Sequence, residues 1–332
     1  MYRMAKTSAA ENVALLAVGG GAFAALWNFV LCYRPVEPWS SGVVMWWTLL
    51  ATVAVVNACG WQRTAAVVAR RSPRVEASVG RFQRSQLLLS AVFVFGCGFR
   101  SLFPRADVQR LGLIDSWLSS VLVGRSVATA AELCFMVQWA LLLNAAARNV
   151  GSRFGVAVSW LVVPLIAVAE VCSWSAVLTT CYLGNVLEES IWALSAGLLA
   201  VGCVVIWWRC RAARRPFLAA ALVLGTLYVA FMCLVDIPMY VSRWQADEAG
   251  GRAYLSLARG LDDAWSRRVV TFSWAEWRPE MPWMTLYFSV CVWWSLALVH
   301  APRVEEDGPG EGRTAGDFDA TSHAPASVLK PS

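Results

Sequence analysis

The sequence predicts an all-α, polytopic transmembrane helical bundle of about eight spans, with the N and C termini on the cytoplasmic side. Three observations lead there. Apolar residues fill 58% of 332 positions and charged ones only 15%, far from the balance of a soluble globular domain. Eight apolar stretches each approach the ~20 residues that a helix needs to cross the hydrocarbon core. Arginines crowd alternate loops, as the positive-inside rule demands of a multi-pass chain.

Residues 1–11 form a short, mildly basic N-terminus carrying Arg3 and Lys6. No small-residue cleavage site follows a brief apolar core, so the first stretch is expected to be retained. The expected spans are 12–33, 42–61, 86–103, 117–146, 154–176, 188–208, 217–241 and 282–301, which makes 12–301 one transmembrane domain. The third is short, and the fourth is long enough to tilt. Residues 302–332 mix Pro, Gly and acids with little apolar content and are expected to be a disordered tail.

Loop charge sets the orientation. The 62–84 loop holds Arg63, Arg70, Arg71, Arg74, Arg81 and Arg84, the 209–216 loop holds Arg209, Arg211, Arg214 and Arg215, and 147–153 holds Arg148 and Arg153. Span parity puts these loops and both termini on one side, the cytoplasmic one. Pro73 argues against one continuous helix through the first arginine cluster. On the opposite side the largest element is 242–281, a Trp-rich loop of mixed charge. It is expected either to lie on the membrane or to cap a cavity.

Several function classes fall away. The net charge of +6 lies mainly in short loops, where it orients the chain, so no nucleic-acid partner is expected. Ten cysteines are scattered along apolar segments without a C-x-x-C pair, which fits small buried hydrophobes. Two histidines, His300 and His323, cannot build a histidine-box iron centre or a bis-histidine haem. No metal and no cofactor is expected. Many of the 19 tryptophans sit at span ends, where an apolar ring with one N–H donor anchors a helix to the headgroup layer.

The functional signal is charge inside the spans. Each such group costs about 2.5–3.5 kcal/mol even on the lenient insertion scale, so these groups should face each other or water. The candidate ligand or ion site is Arg125, Glu132, Glu170, Asp236, Tyr240, Arg100, Glu188 and Glu189, all in the middle or the non-cytoplasmic half. Trp174, Trp192 and Trp244 are the candidate cavity lining. Arg125 and Glu132 stand seven apart on one helix face, beyond the four-residue spacing of a one-turn ion pair, and are expected to pair with other helices. Arg100, Glu188 and Glu189 lie near enough to the interface to reach water. Pro238, between Asp236 and Tyr240, should loosen its turn. Asn57, Gln138 and Asn144 read as links between helices.

Three functions fit, none with an assigned catalytic residue. The first is transport or permeation of a small solute or ion through a polar cavity open to the non-cytoplasmic side. The second is a cofactor-free intramembrane enzyme working by acid–base chemistry on a lipid or isoprenoid. The third is a structural or assembly subunit. Membrane lipids are the expected partners. Transport requires a polar route past Glu132 to the 209–216 loop, the enzyme a closed floor with a lateral opening, and the subunit no cavity.

Overall fold

The computed structural model describes residues 40–71, 77–210 and 215–301. The expected first span, the N-terminus and the 302–332 tail lie outside the described residues. Within them the chain is an all-α bundle with seven helices long and apolar enough to cross a membrane. The first five are α1 (Ser41–Arg71), α2 (Ala77–Leu102), α3 (Val121–Asn149), α4 (Arg153–Thr179) and α5 (Leu183–Trp207). The sixth is a rod in which α6 (Arg215–Phe231), a π-turn (Met232–Asp236) and α7 (Ile237–Ala249) run on without a break. The seventh joins α10 (Met281–Leu286) to α11 (Val292–Val299) through a second π-turn, Tyr287–Cys291.

Several of the expected boundaries move; the sixth expected span, for one, starts at Leu183, five residues early. Much of the 62–84 arginine loop is helical, since α1 ends at Arg71 and α2 begins at Ala77. The rod continues past 241 to Ala249, because the π-turn before Pro238 absorbs the missing N–H without ending the helix. A rise of about 1.5 Å per residue makes this 35-residue rod roughly 52 Å long, against about 30 Å of hydrocarbon. Its polar last turns therefore stand beyond the membrane.

Serines start the helices where the chain re-enters the bundle. Ser120 Oγ accepts the Val123 N–H at the head of α3, and Ser152 Oγ accepts the Gly155 N–H at the head of α4. Inside the bundle, spare polar groups close on one another. Gln86 and Gln138 donate to each other's backbone carbonyls at 3.0 Å, and Ser295 donates to Gln138 Oε1 at 2.6 Å. Asn57 donates to the Phe288 carbonyl within the second π-turn at 2.8 Å, supplying a partner where helical bonding is irregular. Asn144 donates to Ser159 Oγ across α3 and α4.

A cap closes the end of the bundle that carries the 103–120 and 250–280 segments. Strand β1 (Arg105–Ala106) pairs antiparallel with β2 (Leu111–Gly112), and β2 pairs in parallel with β3 (Val269–Val270). The 103–120 connection and the 250–280 segment are thus stitched into one layer. Helix α8 (Leu257–Ser266) seats Ala264 against Val121 and Val177, and α9 (Trp274–Trp277) sets Trp277 5.6 Å from Trp46 of α1. Arg110 is the rivet. Its backbone is left-handed at φ 61°, a costly conformation for a residue with a Cβ. Its buried guanidinium holds that turn by bonding Asp263, the Asp107 carbonyl and the Val177 carbonyl.

Arg105, beside it, is buried between Asp107 at 2.8 Å and the Ser120 carbonyl at 3.2 Å. A Cβ at position 124 would overlap the Arg105 guanidinium and force it from this buried seat. Gly124→Ala should therefore lower the melting temperature and increase hydrogen exchange across 104–116. Gly197→Ala, whose Cβ meets open space, should stay within roughly 1 kcal/mol of wild type.

Candidate functional site

The intramembrane charges meet. Arg125, on α3, sends a single nitrogen, Nη2, to three carboxylates: Glu132 Oε2 at 2.8 Å, Glu170 Oε2 at 2.7 Å and Glu188 Oε1 at 3.2 Å. An Nη2 carries two hydrogens, which go to Glu132 and Glu170. Glu188 is held by charge alone and takes its hydrogen bond from Asn185 at 3.2 Å. Thr129 donates to Glu170 at 2.6 Å and itself accepts from the Trp174 indole at 3.1 Å. Glu132 also accepts from the Tyr287 hydroxyl at 3.0 Å, and Arg100 lies 3.7 Å from the same oxygen.

The sequence spacing misleads at one point. Arg125 and Glu132 do pair, although seven residues separate them, because helical side chains lean toward the N-terminus and Glu132 leans back toward a long arginine. Nor do Arg100 and Glu188 point to the interface, since both are buried within the bundle. The Arg100 guanidinium lies over the Trp283 and Phe288 rings at 5.7 and 5.6 Å, which offset part of its desolvation.

Oxygens of Glu132, Glu170 and Glu188 lie within 4.8 Å of one another, a spacing that suits a metal ion. The donor set does not, because the Arg125 guanidinium already sits among them as the cation. Arg125 Nε and Glu170 Oε1 are buried without a hydrogen-bond partner. The hub therefore binds through one nitrogen, without the forked geometry arginine usually prefers.

Beside the hub lies a cavity of about 570 Å³. Its roof is the 105–109 segment, Glu280 and Trp283; its flanks carry Arg125, Glu132, Glu188, Glu189, Asp236 and Tyr240. Among the candidate aromatic residues Trp192 lines it, whereas Trp174 and Trp244 do not. Trp174 stands behind the hub, and Trp244 packs with Tyr240 against Val108, Ala176 and Tyr182. At the other end Trp139 stacks on Trp294 at 5.8 Å and Phe217 on Trp294 at 5.3 Å, forming an aromatic floor.

The rod and the seventh helix frame one side of this space. Near the floor they touch through Phe217, Ala221, Trp294 and Leu298. At the roof Arg243 of the rod binds Glu280 at 3.0 Å, and Glu280 also accepts from Gln109 and the Trp283 indole. Between these ties the lining includes the apolar Val223, Leu227, Leu286 and Val290 beside Tyr228, Asp236 and Tyr287. Val223 and Leu227 are 52% and 61% exposed, so this side of the cavity opens at an apolar surface of the described bundle.

Sequence reasoning passes over Glu280, Tyr287, Tyr228 and the floor tryptophans. Only Glu280 carried a signal, as one acid among many in the 242–281 segment. No family model, curated protein or solved structure matches the chain.

Replacing Arg125 with Gln leaves three buried carboxylates without their cation and should cost about 3–5 kcal/mol. Arg125→Lys, which keeps the charge on a shorter reach, should fall between; thermal unfolding in detergent measures both. In the cap, burial alone would lift the Asp107 carboxyl, but Arg105, with Arg100 and Arg125 beyond it, holds it below the ordinary carboxylate range. Burial pulls Arg105 down to about 10 against the attraction of Asp107. A depressed carboxyl stabilises the fold above its unfolded value of about 3.9 and loses that contribution as pH falls through the folded value. The stability gap between wild type and Asp107→Asn should therefore be full at pH 6 and close as melting is followed toward pH 3.

Proposed function

We propose that the protein takes up an amphiphile, a lipid or an isoprenoid, laterally from the bilayer and acts on it by cofactor-free acid–base chemistry. The observation behind this reading is the side on which the cavity opens. Its wall between the rod and the seventh helix includes the exposed apolar residues Val223 and Leu227, so a molecule dissolved in lipid reaches it without crossing water. The roof is rich in ionisable groups and the floor is aromatic, the same division an amphiphile has between head and chain. Glu189 and Asp236 line the space with no hydrogen bond or ion pair to any described residue, so their carboxyl groups are the ones open to proton exchange with a bound molecule. Arg125 positions the other carboxylates.

Transport of a small solute or ion, the first expectation from sequence, needs a polar way through the inner half. There the lining is Leu199, Cys203 and Ala221 above the Trp139–Trp294–Phe217 stack. A purely structural role explains the internally paired ions and gives no reason for the cavity.

Hexadecanol brominated on its chain should quench part of the tryptophan fluorescence saturably. Leu227→Trp, which fills the opening, should weaken this binding at least tenfold. Leu234→Trp, at a residue 77% exposed and outside the lining, should leave it unchanged. Wild type incubated with a mixed polyprenol and phospholipid extract should form a product that Asp236→Asn does not. Unchanged binding by Leu227→Trp would overturn lateral access, and solute flux into proteoliposomes abolished by Glu132→Gln would favour transport in its place.

A further inference from the structure

Resting on that amphiphile reading, we infer that the molecule this cavity selects carries a cationic head, an ammonium or quaternary ammonium group, which docks between Asp236 and Glu189 against aromatic faces. Arg105 pairs with Asp107 and Arg243 with Glu280, while Arg100 and Arg125 share Glu132, Glu170 and Glu188, two cations among three acids. Among the described residues this leaves Asp236 and Glu189 facing the cavity with no cation of their own. Asp236 is 5% exposed and sits in the π-turn of the rod, where the wider helical turn directs it inward. Arg243, two turns further along, is committed to Glu280 and lies over the Tyr182 and Tyr240 rings at 5.7 Å.

The surroundings suit an organic cation better than an inorganic one. Tyr228 and Tyr240 lie within electrostatic range of both carboxylates, and Trp192 shares the lining. Ring faces attract a diffuse ammonium charge, the interaction used in quaternary-ammonium recognition. An anionic head would meet two carboxylates with no free guanidinium beside them. The opening at Val223 and Leu227 then leads a chain from the lipid, and the floor receives it.

The test uses three amphiphiles that share a chain and differ only in the head: hexadecyltrimethylammonium, hexadecanol and hexadecanoate. Each is added at matched concentration to the full chain in an uncharged maltoside detergent, and bound adducts are counted by native mass spectrometry. The ammonium compound should bind at least tenfold more tightly than the alcohol, and hexadecanoate most weakly. Asp236→Asn should bring the ammonium compound down to the level of the alcohol, and Asp236→Glu should restore most of the preference. If Asp236→Asn does not purify as a monodisperse species, Glu189→Gln carries the same expectation. Equal binding of ammonium and alcohol by wild type, tightest binding of hexadecanoate, or a preference that survives these substitutions would overturn the cationic head while leaving the amphiphile site intact. Absence of any adduct with all three would overturn the amphiphile reading itself.

Discussion

One guanidinium organises the middle of this bundle. Arg125 of α3 touches carboxylates from its own helix, from α4 and from α5, and Glu132 passes the connection on to Arg100 of α2 and Tyr287 of the seventh helix. Five of the seven described spans are thereby tied through one charged centre. In hydrocarbon there is little hydrophobic gain in bringing helices together, so packing and polar contacts must select the arrangement. A charge that has no acceptable place in lipid selects strongly, since each helix that turned its carboxylate outward would pay the insertion cost. The rod, which adds no member to this centre, carries one unmatched acid, Asp236, and α5 carries the other, Glu189.

The cap makes the upper half of the cavity possible. Without it, Arg105 and Asp107 would be ordinary loop residues in water. The two short strand pairings, the left-handed turn at Arg110 and the missing side chain at Gly124 together press that loop onto the helix ends. The same loop delivers Gln109 to Glu280, where the rod and the seventh helix are joined. Roof and wall therefore share residues.

Much of this could be read from the chain because lipid is an unforgiving solvent. Length and apolarity mark the helices, and the expense of a buried charge singled out Arg125, Glu132, Glu170 and Asp236 before any coordinate was known. The same reasoning could not say who pairs with whom. Tyr287 meets Glu132 across 155 residues, and Ser295 meets Gln138 across 157; no local spacing encodes such contacts. Glu280 was obscured by its neighbours, because a surface loop and a folded cap have similar compositions. Aromatic character predicts Trp174 and Trp244 as lining, but it does not reveal direction. Helix ends moved where π-turns let the chain continue past a proline, since periodicity counts residues and takes no account of an extra one within a turn.

The two ties that frame the apolar window lie in different media. Arg243, with a fifth of its side chain exposed, stands where dissolved ions can approach and weaken its hold on Glu280. The ring stack at the far end is buried inside the bundle and feels only packing. Ionic strength thus acts on one end of the aperture alone, so its upper edge answers to the aqueous phase while its lower edge is fixed by the protein's own rings.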